Sequence, residues 1–179
     1  RLISSAASDV YKRQDQFKGK RFSASYCNHG HHYFADNGNG AIVKRDYLTK
    51  DFEVIHQEDL EADKTRKPND LVVDRSGGVY FTLTRAGQIA YISPDGESSI
   101  AAEGIETANG IILSPDETVL YTSEAAPKRV VAFDVEAGGK LTKRRVFATM
   151  EGEPAESKAA DGMTIDRAGN VYCAGPTDI

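Results

Sequence analysis

One sequence unit occurs three times in this chain, and it restricts the folds that the chain can adopt. In each copy the second residue is Asn or Asp and the third is Asp or Gly. An alternating apolar stretch, a turn and a strand that contains Tyr follow. The copies are PNDLVVDRSGGVYFTLT (68–84), ANGIILSPDETVLYTSE (108–124) and ADGMTIDRAGNVYCAG (160–175), with a degenerate copy at 21–37. Alternation and Gly, Pro and Asp turns predict an antiparallel hairpin in each copy.

Two further short strands are predicted after three of these hairpins, at residues 41–46 and 52–57, 88–93 and 98–103, and 129–135 and 144–150. The leading residues Asn69, Asn109 and Asp161 are 40 and 52 residues apart, and four strands per ~40–50 residues is the period of a propeller blade. The absence of Trp excludes a WD40 propeller. We predict an all-β fragment of a propeller with about three four-stranded blades and the start of another, in units at about 21–60, 68–104, 108–150 and 160–179.

The N-terminal stretch does not fit the repeat. RLISSAASDVYKRQ, residues 1–14, has no initiator Met, no apolar h-region and no amphipathic period, so it does not have the pattern of a signal peptide. We interpret residues 1–14 as a foreign or disordered tail and residues 15–179 as a partial propeller domain. The true start is then expected upstream, and the compartment, whether cytoplasmic, periplasmic or secreted, stays open.

Charge and composition narrow the classes of partner. The 179 residues carry a formal net charge of −5 and are 40% hydrophobic and 27% charged, which is typical of a globular domain. No polybasic run favours nucleic acid, and no apolar run approaches the ~20 residues that span a bilayer. We therefore expect neither nucleic acid nor a membrane as a partner. The oligomeric state is left open.

The leading residues of the repeat are candidates for a metal site. The first strand of a propeller blade lines the central channel, so residues just before it converge at one mouth. Asn69, Asn109 and Asp161 would bring carboxylate and amide oxygens there, which suits a hard divalent cation. Ca²⁺ is the first choice, with Mg²⁺, Mn²⁺ and Zn²⁺ behind it. The alternative is a tight entry turn, because Asn and Asp tolerate left-handed backbone; three copies with an oxygen donor favour the site.

Other motifs are assigned to turns and loops. The segments NHGHH (28–32) and NGNG (37–40) fall between predicted strands, and the charged stretch 56–67 is interpreted as a solvated loop that leads towards Asn69. No Gly-x-Ser-x-Gly motif is present, and Cys173 has no evident His partner. Ser and Cys nucleophiles are therefore not favoured.

The three units resemble those of the senescence-marker-protein/gluconolactonase/luciferin-regenerating-enzyme family of six-bladed propellers, also called regucalcin-like. The resemblance covers about residues 44–179 and rests on PNDLVVDRSGGVYF, ANGIILSPDETVLY and ADGMTIDRAGNVY. It implies a divalent metal at the channel mouth and hydrolysis of a small-molecule lactone or ester. It also implies that Asn109 and Asp161 are metal ligands and that Asn69 lies beside the metal in contact with substrate or a ligand water.

The chain departs from the family pattern in the first blade. The family takes a Glu ligand from a Glu-Gly-Pro unit, and no such unit precedes the degenerate copy. In that copy, Phe22 occupies the position that matches Asn69, and Phe is not a metal ligand. The site is therefore expected to be incomplete and the fragment itself inactive.

The expected function is a metal-dependent lactonase, a hydrolase of carboxylic ester bonds, in which Asp161 is both ligand and proton acceptor. Asn69 and Asn109 would orient substrate oxygens. The main alternative is a propeller that binds calcium or another ligand without turnover. A propeller oxidoreductase is disfavoured because the chain has no Trp to stack a quinone.

Overall fold

The computed structural model describes residues 21–28, 30–150 and 160–175. The proposed tail at 1–14 and His29 lie outside these residues. The described part forms fourteen strands: β1 Phe22–Asn28, β2 His31–Asp36, β3 Ala41–Asp46, β4 Phe52–Gln57, β5 Pro68–Val73, β6 Val79–Leu83, β7 Gln88–Ile92, β8 Ser98–Glu103, β9 Ala108–Leu113, β10 Val119–Glu124, β11 Arg129–Val135, β12 Leu141–Thr149, β13 Met163–Ile165 and β14 Val171–Cys173. The only helix in these ranges is the 3₁₀ turn Ala137–Gly139.

The strands form three four-stranded antiparallel sheets and one hairpin. Their orders are β1-β2-β3-β4, β5-β6-β7-β8, β9-β10-β11-β12 and β13-β14, which we call blades 1 to 4. This arrangement confirms the predicted all-β propeller class, with three complete blades and the opening of another. NGNG (37–40) forms the β2–β3 connection, and the last two residues of NHGHH, His31 and His32, begin β2, both as predicted. β12 begins three residues before the predicted strand.

The first strands of successive blades lie side by side. β1 contacts β5, β5 contacts β9, and β9 contacts β13, as expected for strands that surround a common axis. The apolar core fills the space between neighbouring sheets. One cluster joins Val72 and Tyr80 of blade 2 to Ile111 and Leu120 of blade 3, and a second joins blade 1 to blade 2. Alternating side chains thus cover both faces of blade 2.

A buried hydroxyl group joins blade 2 to blade 3 near the axis. The side chain of Thr82 in β6 accepts a hydrogen bond from the backbone N–H of Asp70 at 3.0 Å. The same hydroxyl donates to the carbonyl of Asn109 in β9 at 2.8 Å. Thr82 itself is fully buried, so its hydroxyl has these two backbone groups as partners and not water.

Ser123 repeats this bridge between blades 3 and 4. Its hydroxyl accepts from the N–H of Gly110 at 2.8 Å and donates to the carbonyl of Asp161 at 2.8 Å. The approach is close: a Cβ added at Gly110 would lie 2.5 Å from the Asp161 carbonyl oxygen and 2.8 Å from Met163 Cγ. Glycine is therefore required where the fourth blade meets the third.

The loop between blades 1 and 2 differs from the prediction. Residues 56–67 were expected to be solvated throughout, but the side chain of Glu58 is only 5% exposed. Its carboxylate accepts from Arg66 Nε at 2.6 Å, and Arg66 also donates to Gln88 Oε1 of blade 2 at 2.8 Å. The prediction was wrong here because charge composition does not reveal a buried ion pair.

Among the residues that the structure describes, no helix has the length and apolarity needed to cross a membrane.

Replacing Thr82 with Val keeps the shape of the side chain and removes the hydroxyl bridge. The Asp70 N–H and the Asn109 carbonyl would then lack a partner, so we expect the free energy of unfolding to fall by about 1–3 kcal/mol. Thr164→Val is the matched control, since Thr164 is exposed in β13 and should change stability by less than about 0.5 kcal/mol. Urea unfolding measures both, and equal effects would contradict the bridge.

Candidate metal centre

The three leading residues of the repeat lie where the inner strands begin. Asn69 and Asn109 are the second residues of β5 and β9, whereas Asp161 lies two residues before β13. The sequence placed all three just before their strands, so two of them lie slightly further into the strand than predicted. Because the inner strands are neighbours, these starts lie at the same end of the blades.

Asn109 and Asp161 meet directly. The Nδ2 group of Asn109 donates to Oδ1 of Asp161 at 2.6 Å, across 52 residues of sequence. Asn109 is half-buried and Asp161 is exposed. Within the described ranges, no Lys or Arg forms an ion pair with Asp161. The carboxylate of Asp161 and the carboxamide of Asn109 are thus held together through the amide nitrogen.

Asn69 occupies a separate position. In the part of the chain that the structure describes, its side chain makes no hydrogen bond to Asn109 or Asp161, and its backbone carbonyl accepts from Ser23 Oγ at 2.5 Å. The Asn69 side chain lines a cleft of about 430 Å³, which we call the basic cleft. Its lining residues are Arg21, Asn37, Lys67, Asn69, Thr84 and Arg85. The structure therefore joins two of the three predicted site residues and places the third in a neighbouring cavity.

The backbone does not have the left-handed turn that the alternative explanation requires at these residues. Left-handed φ values occur at Thr107 (56°) and Ala160 (64°), which precede Asn109 and Asp161, and not at the Asn and Asp themselves. Tolerance of left-handed backbone is therefore not the reason for Asn and Asp at the leading position.

Asp70 is a part of this region that sequence reasoning missed. Its Oδ1 accepts from the N–H of Leu71 at 2.8 Å and its Oδ2 from the N–H of Ile111 in blade 3 at 3.1 Å. Burial raises the pKa of Asp70 to about 6; the two N–H groups act in the opposite direction, and the charge of Asp161 raises it further. The available signal was an Asp where the other two copies have Gly110 and Gly162.

Cys173 also lies beside Asp161 but does not add a reactive thiolate. Its Sγ is 3.9 Å from the Asp161 carbonyl oxygen. Burial, followed by the charge of Asp161, raises the pKa of the Cys173 thiol to about 11. The thiol is protonated at neutral pH, so it is a poor nucleophile.

The donor set matches a hard divalent cation in kind. Asp161 offers a carboxylate and Asn109 an amide oxygen, whereas the two carboxylate oxygens of Asp70 already accept from backbone N–H groups. Hard cations prefer such oxygen ligands. No group of three or more His, Cys, Asp and Glu side chains that could hold a metal occurs among the described residues.

The chain is similar to known proteins in both sequence and structure. The model of the SMP-30/Gluconolactonase/LRE-like region matches residues 5–178. The gluconolactonase of Zymomonas mobilis is 31% identical over 167 residues, which cover 82% of this chain and 47% of that protein. The chain thus spans about half the length of this curated relative.

Two solved structures share the fold. A gluconolactonase from Xanthomonas campestris superimposes with a TM-score of 0.63 at 26% identity, over 81% of this chain and 52% of that one. Regucalcin from Agrobacterium tumefaciens, described as a calcium-binding protein, superimposes with a TM-score of 0.63 at 20% identity, over 84% of this chain and 52% of that one. At that identity the second likeness concerns the fold alone.

The raised pKa of Asp70 predicts a pH-dependent stability. The folded-state pKa of about 6 lies above the ordinary value of 3.8. The contribution of protonated Asp70 to the free energy of unfolding is therefore fully present below pH 3.8 and is lost as the pH rises through 6. Relative to Asp70→Asn, the wild type should lose up to about 3 kcal/mol of unfolding free energy between pH 4 and 7.

Urea unfolding at several pH values, with a chelator present, measures this difference. The amide of Asn accepts one hydrogen bond instead of two, which adds an offset that does not change with pH. Asp95→Asn, at an exposed turn after β7, is the control. Curves for wild type and Asp70→Asn that stay parallel would refute the prediction.

Proposed function

The chain belongs to the SMP-30/gluconolactonase/LRE-like family, and we propose that the full-length protein is a divalent-metal-dependent hydrolase of a sugar lactone or a related ester. The observation that carries this proposal is the 2.6 Å contact between Asn109 and Asp161, which joins two blades at one end of the inner strands. The names of the curated relatives, which include a gluconolactonase and a lactonase, support the substrate class.

The residues of this chain have distinct tasks in the proposed reaction. A divalent cation bound by Asn109 and Asp161 would polarise a lactone carbonyl and lower the pKa of a water molecule. Asp161 is exposed, so its carboxylate can accept a proton from an attacking water. Asn109 and Asn69 orient substrate oxygens through their amide groups.

Ca²⁺ is the favoured cation because of the donor chemistry. Carboxylate and amide oxygens in a flexible arrangement suit Ca²⁺, whereas Mg²⁺ requires near-octahedral geometry and retains several waters. Zn²⁺ is more often bound by sulfur and imidazole nitrogen, and among the described residues no His, Cys, Asp and Glu cluster that could hold a metal occurs. Mg²⁺, Mn²⁺ and Zn²⁺ are the alternatives.

A propeller that binds calcium or another ligand without turnover is the competing function. A shared fold does not by itself confer activity, and the neighbour regucalcin is described as a calcium-binding protein. The two functions require the same Asn109–Asp161 pair, so they differ in turnover and not in metal binding.

Asp161→Asn in the full-length protein tests the assignment of the proton acceptor and ligand. Loss of the carboxylate should lower kcat/KM for gluconolactone by about 10²–10⁴-fold while the far-UV circular dichroism stays that of the wild type. Asp166→Asn is the matched control, because Asp166 closes the turn between β13 and β14. Its activity per folded molecule should equal that of the wild type. Full turnover in Asp161→Asn would remove Asp161 from the mechanism.

Removal and return of the metal tests the cofactor. A chelator should abolish lactone hydrolysis, and added Ca²⁺ should restore it and raise the Tm. At a Ca²⁺ concentration of 100 times Kd, the stabilisation is about 2.7 kcal/mol, and Asp161→Asn should show little of it. Turnover that survives the chelator excludes metal dependence. A Ca²⁺-dependent rise in Tm without turnover of any lactone favours the binding propeller.

A further inference from the structure

The basic cleft beside Asn69 is built from the edges of two blades. Arg21 and Lys67 come directly before the inner strands β1 and β5. Asn37 directly follows β2, and Thr84 and Arg85 directly follow β6. Because neighbouring strands are antiparallel, the starts of β1 and β5 lie at the same end of the blades as the ends of β2 and β6. The cleft therefore lies at the end of the blades that also carries Asn109 and Asp161.

The charge of the cleft has one sign. In the part of the chain that the structure describes, three cationic residues line it, Arg21, Lys67 and Arg85, and no Asp or Glu does. Among the described residues, none of the three forms an ion pair. The nearby Asp36 is buried and accepts hydrogen bonds from the backbone N–H of Arg21 and from Asn39. Cations gathered in a concave site attract an anion.

The cleft also contains a buried hydroxyl without a partner. Thr84 Oγ1 is buried and makes no hydrogen bond to any residue that the structure describes. A buried polar atom left unpaired is costly, and most such atoms in proteins have a partner. Asn69, which lines the same cleft, can donate to a bound anion through its amide, whereas the Thr84 hydroxyl is closed to solvent and would reach an anion only after the side chain rotates.

We propose that the basic cleft binds a negatively charged substituent of the substrate, a phosphate or a carboxylate, so that the preferred substrates are anionic sugar lactones. Arg85 and Arg21 provide guanidinium groups that match the paired oxygens of such an anion, and Lys67 adds a point charge. This substrate class rests on the proposed lactonase function, whereas the anion site rests on the cleft alone.

Asn69 connects the basic cleft to the reactive centre. Asn69 lines the cleft. The next residue, Asp70, accepts a hydrogen bond from the backbone N–H of Ile111 in blade 3, and the charge of Asp161 raises the pKa of Asp70. A lactone anchored by its anionic group in the cleft would extend past Asn69 towards Asn109 and Asp161. Anchoring by a remote group is a common means of orienting the reacting bond.

Kinetics of the full-length protein test the preference. We compare gluconolactone with 6-phosphogluconolactone and with glucaro-1,4-lactone, which carry a phosphate and a carboxylate respectively. At least one anionic lactone should exceed gluconolactone in kcat/KM by about tenfold or more, mainly through KM. In Arg85→Gln, the ratio of anionic to neutral kcat/KM should fall about tenfold. Lys67→Gln should act in the same direction.

Arg167→Gln is the matched control, because Arg167 is an exposed arginine in the turn between β13 and β14 and lies outside the cleft. The ratio of anionic to neutral kcat/KM in Arg167→Gln should equal that of the wild type. The preference should also shrink as ionic strength rises, since the cations of the cleft are partly exposed.

Calorimetric titration with inorganic phosphate and with glucarate separates this inference from the proposed function. Binding of either anion that weakens about tenfold in Arg85→Gln, but not in Arg167→Gln, supports the anion site even if no lactone is hydrolysed. In that case the lactonase proposal fails and the cleft stands. The phosphate and glucarate arms distinguish the two anions. Absence of binding to both, or equal kcat/KM for neutral and anionic lactones, overturns the proposal.

Discussion

The hydroxyl bridge between neighbouring blades is the constraint on which the candidate site depends. Thr82 and Ser123 each take an N–H from the inner strand of their own blade and donate to the next blade, at the carbonyls of Asn109 and Asp161. The two carbonyls belong to the two residues whose side chains meet at 2.6 Å. These hydrogen bonds place the two backbones so that the side chains of Asn109 and Asp161 can meet.

The same end of the blades carries two regions of opposite charge. Asp70 and Asp161 lie close enough for their charges to interact, whereas Arg21, Lys67 and Arg85 line the cleft next to Asn69. An acidic centre attracts a cation and a basic cleft attracts an anion. A substrate with a carbonyl at one end and a negative charge at the other would match both regions, which is the basis on which the proposed activity and the proposed specificity fit together.

Much of the fold was predictable because its signals are local. The strands at 41–46, 52–57, 98–103 and 129–135 have the bounds that alternation and turn residues predicted, and the family was identified from three repeat motifs. The meeting of Asn109 with Asp161 was expected from blade symmetry. Three features were not predicted: the role of Asp70, the buried Glu58–Arg66 pair and the separate position of Asn69. Each depends on contacts between distant segments, and a single sequence does not show which of those segments become buried.

The sequence by itself determined the repeat, the strands, the turns and the residue types at the leading positions, since period-two alternation and turn propensities act over a few neighbours. Tertiary structure decided which edges of different blades meet. In the folded chain Asp70 is buried and accepts from the N–H of Ile111, and only glycine fits at position 110, where Asp161 approaches. Three cationic residues also line the cleft beside Asn69. Burial and long-range electrostatics depend on distances between blades, and those distances exist only once the sheets have packed.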